Sequence, residues 1–157
     1  MATTTDEAAP VRGLEELLCF DLYAASRAVT AFYRPLLDEL GLTYPQYLVL
    51  VALPTEGAVP VKQIGHDLEL DHGTLTPLLR RMEQAGLLTR RRSSVDERQV
   101  EVALTPEGRR LRLRFDDVQC KVGEAVGLDD QEFRALQASL VRLTRAVRRA
   151  ADASADS

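Results

Sequence analysis

The residues of this chain best suited to covalent chemistry are its two cysteines, Cys19 and Cys120. Cys19 heads a series, Cys19, Tyr23, Ser26, Thr30 and Tyr33, whose spacings of four, three, four and three lay a polar stripe along one helix face. Tyr23 is one turn from Cys19 and can meet it directly. Tyr33 follows fourteen residues after the cysteine, ~21 Å along a straight helix axis, and cannot reach its own thiol without a sharp reversal. A second subunit packed antiparallel would bring it there, so a thiol site shared across a dimer interface is expected. The nucleophilic form is the thiolate, and a reactive cysteine must ionise below the free value of ~8.5. Phenol donors aimed at sulfur favour the anion by hydrogen bonding. With the helix read from Leu14, Cys19 falls beyond the first turn, where the helix dipole contributes little.

Two cysteines are too few for a disulfide scaffold. In a reducing compartment both begin as thiols, so a bond between them would be regulatory. They are far apart in sequence, which leaves their contact open. Cysteine is also a residue type often buried and inert, and that alternative stands beside the reactive one for Cys120.

The elements that position these residues follow from periodicity. Leu14, Leu18, Leu22, Ala25, Val29, Phe32 and Leu36 form an apolar stripe of helical spacing, with Pro35 expected to kink or end the helix. Gly41 stops the segment, and a second helix runs from Tyr44 to about Leu53. Pro54, Gly57 and Pro60 mark a loop. Val61 to Leu70 reads as a short helix, and Asp71 caps another from Gly73 to about Ala85, with Gly86 past its end. Two short helices joined by a tight turn make a helix-turn-helix. In residues 87–104, Val100, Val102 and Leu104 alternate with polar residues beyond a turn at SSVDE, which predicts a β-hairpin. Thr105-Pro106-Glu107 starts a helix running to about Val126. Phe133, Leu136, Leu140, Leu143 and Val147 stripe the last one.

The expected fold is mainly α with a small β-hairpin wing, a winged helix-turn-helix whose N- and C-terminal helices form a dimerisation region. Residues 1–12 and 151–157 read as disordered tails around one domain, 13–150. Within it, 13–43 and 106–150 are dimerisation helices and 44–105 the winged helix-turn-helix. The terminal helices carry more apolar stripe than one small winged domain can cover, and a two-fold homodimer would bury it, a monomeric helical bundle being the plainer alternative.

At 45% apolar and 28% charged residues, the 157-residue chain is a soluble globular protein rather than a disordered one. No apolar run approaches the ~18 residues a spanning helix needs. The start, MATTTDEAAP, lacks the pattern of a signal peptide, so a cytoplasmic location with no membrane partner is expected. The net charge of −4 argues against nucleic acid, but local placement decides the field a phosphate meets. Between Arg80 and Arg98 six arginines face three acids, while the first sixteen residues hold four acids and one base.

A helix-turn-helix followed by a hairpin sets a recognition helix in the major groove of duplex DNA and a wing beside it. His72, Thr74 and Thr76 at the head of that helix would reach base edges, and Arg80 and Arg81 phosphates. Arg98 at the hairpin tip suits the minor groove, with Asp96 expected to hold its guanidinium in a bidentate pair. Arg90, Arg91 and Arg92 lie on the same hairpin. A solvated charged turn is the plainer alternative for the D-x-R alone.

The segment LDHGTLTPLLRRMEQAGLLTRR followed by DERQVEVALTPEGR resembles the core of the MarR family of winged-helix regulators, over roughly residues 14–150. That resemblance implies a triangular dimer that binds palindromic operators, usually as a repressor, with Arg98 as the minor-groove wing arginine. His72 departs from the small hydroxyl residue many members carry there, which bears on operator preference. LCFDLYAASRAVTAFYRPLLDELGLTYPQY, residues 18–47, is similar to the organic hydroperoxide sensor branch, the OhrR regulators. By that similarity Cys19 is the peroxide-reactive thiol and Tyr23, Tyr33 and Tyr44 hydrogen-bond to it, Tyr33 and Tyr44 across the dimer. Leu17, Leu18 and Phe20 would favour a greasy organic hydroperoxide. Two-cysteine members of the branch imply Cys120 as the resolving thiol in an intersubunit Cys19–Cys120 disulfide, with operator release on oxidation.

Two other functions compete. One keeps the MarR fold and makes the effector a small aromatic or phenolic ligand, Cys19 being structural. The other is a thiol peroxidase, which leaves the wing unexplained. No triad, P-loop or dinucleotide fingerprint is present, so no enzyme and no cofactor are expected. His66 and His72 without a cysteine or acid cluster are weak grounds for a metal.

Overall fold

In the computed structural model, which describes residues 13–155, polar side chains set several of the helix starts. Thr43 accepts from the Gln46 backbone N–H while the Gln46 side chain accepts from Thr43 N–H, a capping box that opens α2, Tyr44–Ala52. Asp71 accepts from Thr74 N–H at 2.9 Å and opens α4, His72–Gln84. Thr105 accepts from Gly108 N–H at 3.0 Å and opens α5, Pro106–Arg112. A single 3-10 turn, Leu14–Glu16, precedes α1, Leu18–Asp38. The remaining helices are α3, Val61–Leu68, α6, Phe115–Val126, and α7, Asp130–Ala155.

Three short strands, β1 (Val59–Pro60), β2 (Leu88–Arg92) and β3 (Val100–Leu104), form one antiparallel sheet in the order β1-β3-β2. Val59 faces Val102 across β1 and β3, and the hairpin register runs from Leu88 opposite Leu104 to Arg92 opposite Val100. Alternation sends Val102 and Leu104 inward, where they join Leu50, Leu53, Ile64, Leu75, Leu79, Met82 and Leu88 in the core. Burying each such side chain contributes about 1.5–3 kcal/mol.

The described chain divides into two compact units, one ending at Phe115 and one beginning at Asp116. The division falls within the 106–150 stretch expected to form dimerisation helices, with α5 in the first unit and α7 in the second. The helix expected over Pro106 to Val126 breaks at Leu113 and Arg114. Beyond that break the Phe115 ring is buried and packs on Tyr47 at 4.7 Å.

Further differences have local causes. The first helix starts at Leu18, because Leu17 is extended (φ −98°, ψ 99°) and ends the 3-10 turn. Pro35 lies inside α1 without ending it, and the helix continues to Asp38. The loop around Pro60 contributes a third strand, for β3 has a free side that Val59 and Pro60 pair with. The tail expected over 151–157 is helical as far as Ala155, since α7 carries on through an alanine-rich end. The tail expected over 1–12 lies outside the described residues.

Both expected apolar stripes are present and uncovered. On α1, Leu18, Val29 and Phe32 are exposed while Tyr33 and Leu37 take the inward positions. Helix α7 has no buried residue, and Phe133, Leu136, Leu140 and Val147 are exposed along it.

Candidate DNA interface and thiol site

The helix-turn-helix forms around a tight turn. Glu69 takes the left-handed conformation (φ 58°) and Leu70 N–H donates to the Gly65 carbonyl at 2.9 Å. A Cβ at Gly65 would come within 3.1 Å of the Leu70 carbonyl oxygen, so the absent side chain lets the turn close. Leu75, Leu78, Leu79 and Met82 anchor α4 from its inner face. That leaves His72, Thr74, Arg80 and Arg81 exposed on the outer face, with Thr76 half-buried.

At the head of α4 the polar groups are already engaged with one another. Thr74 Oγ1 donates to Asp71 Oδ2 at 2.9 Å, and Thr76 Oγ1 lies 3.3 Å from His72 Nε2. The Thr74 hydroxyl, followed by its N–H, holds the Asp71 carboxyl below the usual carboxylate range. A base edge meeting this helix would meet a pre-oriented set rather than free rotors.

The wing turn is built on Ser93 and Asp96. Ser93 is buried, and its Oγ accepts from Val95 and Asp96 N–H at 3.2 and 3.4 Å. Asp96 accepts from Arg98 N–H and from the Gln99 side chain, both at 3.0 Å. This corrects the expectation of a bidentate pair with the Arg98 guanidinium. At two residues' separation the carboxylate closes an Asx turn onto the backbone instead. The Arg98 side chain stands exposed at the tip, and Arg91 and Arg92 are exposed on β2. Arg90 differs: its Nε and Nη2 donate to Glu83 Oε2 at 2.9 and 2.8 Å.

The cysteines and tyrosines fall into separate groups. Cys19 is exposed and is the second residue of α1, inside the first turn rather than beyond it. Tyr23 is exposed, and its hydroxyl accepts from Arg27 Nη1 at 3.3 Å with the guanidinium carbon 5.4 Å from the ring centre. Among the described residues no hydrogen bond joins Tyr23 to Cys19. Thr30 Oγ1 donates back to the Ser26 carbonyl at 2.8 Å, so the Thr30 hydroxyl is engaged with its own helix.

Tyr33 and Tyr44 do come together, with ring centres 5.1 Å apart. Tyr47, which sequence reasoning left out, completes the group at 5.5 Å from Tyr33 and 6.2 Å from Tyr44. Its signal was available, since it follows Tyr44 by three residues on one helix face. Burial, and then the neighbouring Tyr33 phenol, push the Tyr44 hydroxyl above its ordinary value. Cys120 is exposed on α6 and its thiol lies 3.8 Å from Glu124 Oε1. That removes the buried, inert alternative for it within the chain.

Among the described residues no group of His, Cys, Asp and Glu could hold a metal ion. His66 instead meets Asp67 at 3.4 Å. Among the described residues no helix is long and apolar enough to cross a membrane.

A helix-turn-helix closed by a three-stranded wing, with arginines along its outer side, defines a winged-helix DNA-binding protein. The family described as transcriptional regulator SarA/Rot matches residues 31–113. The chain is 47% identical to the organic hydroperoxide resistance transcriptional regulator of Bacillus subtilis over 133 residues, 83% of this chain and 88% of that protein. Among solved structures, reduced AbfR bound to DNA is 32% identical with a TM-score of 0.72, covering 87% of this chain and 93% of its own. Disulfide-formed AbfR is 33% identical with a TM-score of 0.59, covering 88% and 92%. The chain belongs to the MarR-like winged-helix transcriptional regulators, a family of DNA-binding proteins rather than enzymes.

Proposed function

We propose that this transcriptional regulator is a repressor that senses organic hydroperoxides through Cys19. The observation that carries the reading is the arrangement along α1. An exposed thiol occupies its first turn, and the buried Tyr33, grouped with Tyr44 and Tyr47 of α2, lies fourteen residues further on. On one continuous helix that separation is ~21 Å, so the phenols serve a thiol only from another chain. The uncovered apolar faces of α1 and α7 supply the surface for such a homodimer. Likeness to a hydroperoxide-resistance regulator supports the oxidant class.

The thiolate sulfur of Cys19 attacks the terminal oxygen of the hydroperoxide. The O–O bond breaks, the leaving alkoxide takes up the proton the thiol gave to solvent and departs as the alcohol, and sulfur is oxidised to the sulfenic acid. The partner's Cys120 thiol then displaces the sulfenic hydroxyl. The S–S bond forms and its proton leaves with the hydroxide as water. Disulfide-formed AbfR supports a disulfide endpoint in a chain of this fold.

In the reduced dimer two α4 helices enter successive major grooves of a palindromic operator, ~34 Å apart, with Arg98 in the minor groove. His72, Thr74 and Thr76 face base edges, while Arg80, Arg81, Arg91 and Arg92 face phosphates. Crosslinking α1 to the partner's α6 changes that spacing, and the operator in the cytoplasm is released.

The test is non-reducing electrophoresis after cumene hydroperoxide, comparing the native chain with Cys19→Ser and Cys120→Ser. A dimer-sized band that needs both cysteines supports the reading. A band that persists in Cys19→Ser contradicts it.

A further inference from the structure

Glu83 makes three hydrogen bonds to one residue of the wing. Its Oε1 accepts from Arg90 N–H at 2.9 Å, and its Oε2 accepts from Arg90 Nε and Nη2 at 2.9 and 2.8 Å. The two side chains are 34% and 24% exposed, less open to solvent than an ordinary surface pair. Charge-assisted bonds of this length that share two donors of one guanidinium are among the stronger polar contacts.

The topology explains why this pair exists. Strand β2 lies at the edge of the sheet, so every second N–H points away from β3 with no strand to meet it. The N–H of Arg90 is one of these, and a carboxylate from the last turn of α4 takes the place of the missing strand. Between the two residues the chain makes a Schellman turn. Gly86, at φ 74°, donates to the Glu83 carbonyl at 2.9 Å and Leu87 to the Met82 carbonyl at 3.0 Å. The turn fixes where the chain leaves α4, and the Glu83–Arg90 pair fixes the strand that follows.

We propose that Glu83 and Arg90 are positioning residues for operator binding, a clasp that sets the angle between the recognition helix and the wing. Arg90 then departs from its hairpin neighbours. Arg91 and Arg92 are exposed and meet phosphates, whereas Arg90 acts through geometry, bringing α4 and the wing tip to their two grooves together. Hydrogen bonds from Arg90 hold the Glu83 carboxyl below the usual carboxylate range, so the clasp stays ionised at neutral pH. The inference rests only on DNA binding by this fold and is independent of the thiol chemistry.

Salt dependence separates the two roles, because each phosphate contact contributes ~0.9 to the slope of log affinity against log salt. The probe is a fluorescent duplex selected by the native protein from a random-sequence pool, titrated by anisotropy at several salt concentrations. The proteins are the native chain, Glu83→Gln, Arg90→Lys, Arg90→Gln and the double variant Glu83→Gln/Arg90→Lys. Glu83→Gln and Arg90→Lys should each weaken binding by about tenfold, and the double variant no more than either alone. The slope should stay that of the native protein in Arg90→Gln. Native-like affinity in Glu83→Gln or Arg90→Lys overturns the proposal, as does a slope reduced by ~0.9 in Arg90→Gln.

Discussion

Cys19 and Tyr33 lie on one unbroken helix, the first exposed at its head and the second buried beyond its middle. At ~21 Å along one helix the Tyr33 phenol does not reach the Cys19 of its own chain, and the proposed thiol site therefore calls for a second copy. The helix does two jobs at once. Its N-terminal turn offers the sulfur to solvent, and its C-terminal half packs Tyr33 against Tyr44 and Tyr47.

Removing a phenol should therefore slow oxidation without abolishing it. Tyr33→Phe and Tyr44→Phe should each lower the rate of Cys19 sulfenic acid formation by about ten- to a hundredfold, the ~1.5–3 kcal/mol of one hydrogen bond to a charged acceptor. Trapping of the sulfenic acid and mass spectrometry measure this. Mixed dimers add the decisive control: a chain carrying both Cys19→Ser and Tyr33→Phe, paired with a native chain, should leave the remaining Cys19 as slow as Tyr33→Phe alone.

The uncovered face of α7 should be the dimer's adhesive. Leu140→Glu places a charge among Phe133, Leu136 and Leu140, all exposed in the single chain. Sedimentation should show monomers for this variant at concentrations where the native chain is dimeric. Unchanged mass would move the interface elsewhere.

Gly108 is held by close approach rather than by a left-handed turn. A Cβ there would collide with the Leu87 backbone carbonyl, at the point where α5 crosses the start of the wing. Gly108→Ala should therefore lower stability by about 1–3 kcal/mol, as overpacking does elsewhere. Chemical denaturation reads this, and Gly123→Ala, inside α6 with nothing within 4 Å, serves as the comparison that should gain ~0.4–1 kcal/mol instead.

Acid should loosen the recognition helix and wing together. Asp71 and Glu83 both ionise below their ordinary values of 3.8 and 4.5, the first through Thr74 and the second through Arg90. Groups with lowered folded values stabilise the fold fully above their unfolded values, and the contribution fades as pH falls through the folded ones. Melting temperature should thus be flat down to about pH 5 and then decline. Glu83→Gln should shrink that decline; an identical acid limb would contradict the assignment.

Much of this was legible in the residues. The Asp71 cap, the Gly86 exit and the alternation of Val102 and Leu104 placed the helix-turn-helix and hairpin nearly as they stand. Local chemistry decided those elements. What escaped was decided by distant partners. Val59 and Pro60 become a strand only because β3 has a free side, and Phe115 marks the start of α6 where it packs on Tyr47. Spacing alone gave Asp96 to the Arg98 side chain, whereas the backbone lay closer. Nor did sequence distinguish Arg90 from Arg91 and Arg92, for Glu83 reaches it only through the geometry of the turn. The start of the first helix was placed too early because the apolar stripe steps from Leu14 to Leu18 at helical spacing, whereas the backbone between them is extended at Leu17.

Operator binding by gel shift, reduced and then after cumene hydroperoxide, tests the central claim most directly. Native protein should bind the selected duplex when reduced, release it after oxidation, and recover on adding dithiothreitol, while Cys19→Ser should bind throughout. If oxidised native protein binds as tightly as reduced, or Cys19→Ser is released as readily, Cys19 is not the sensor.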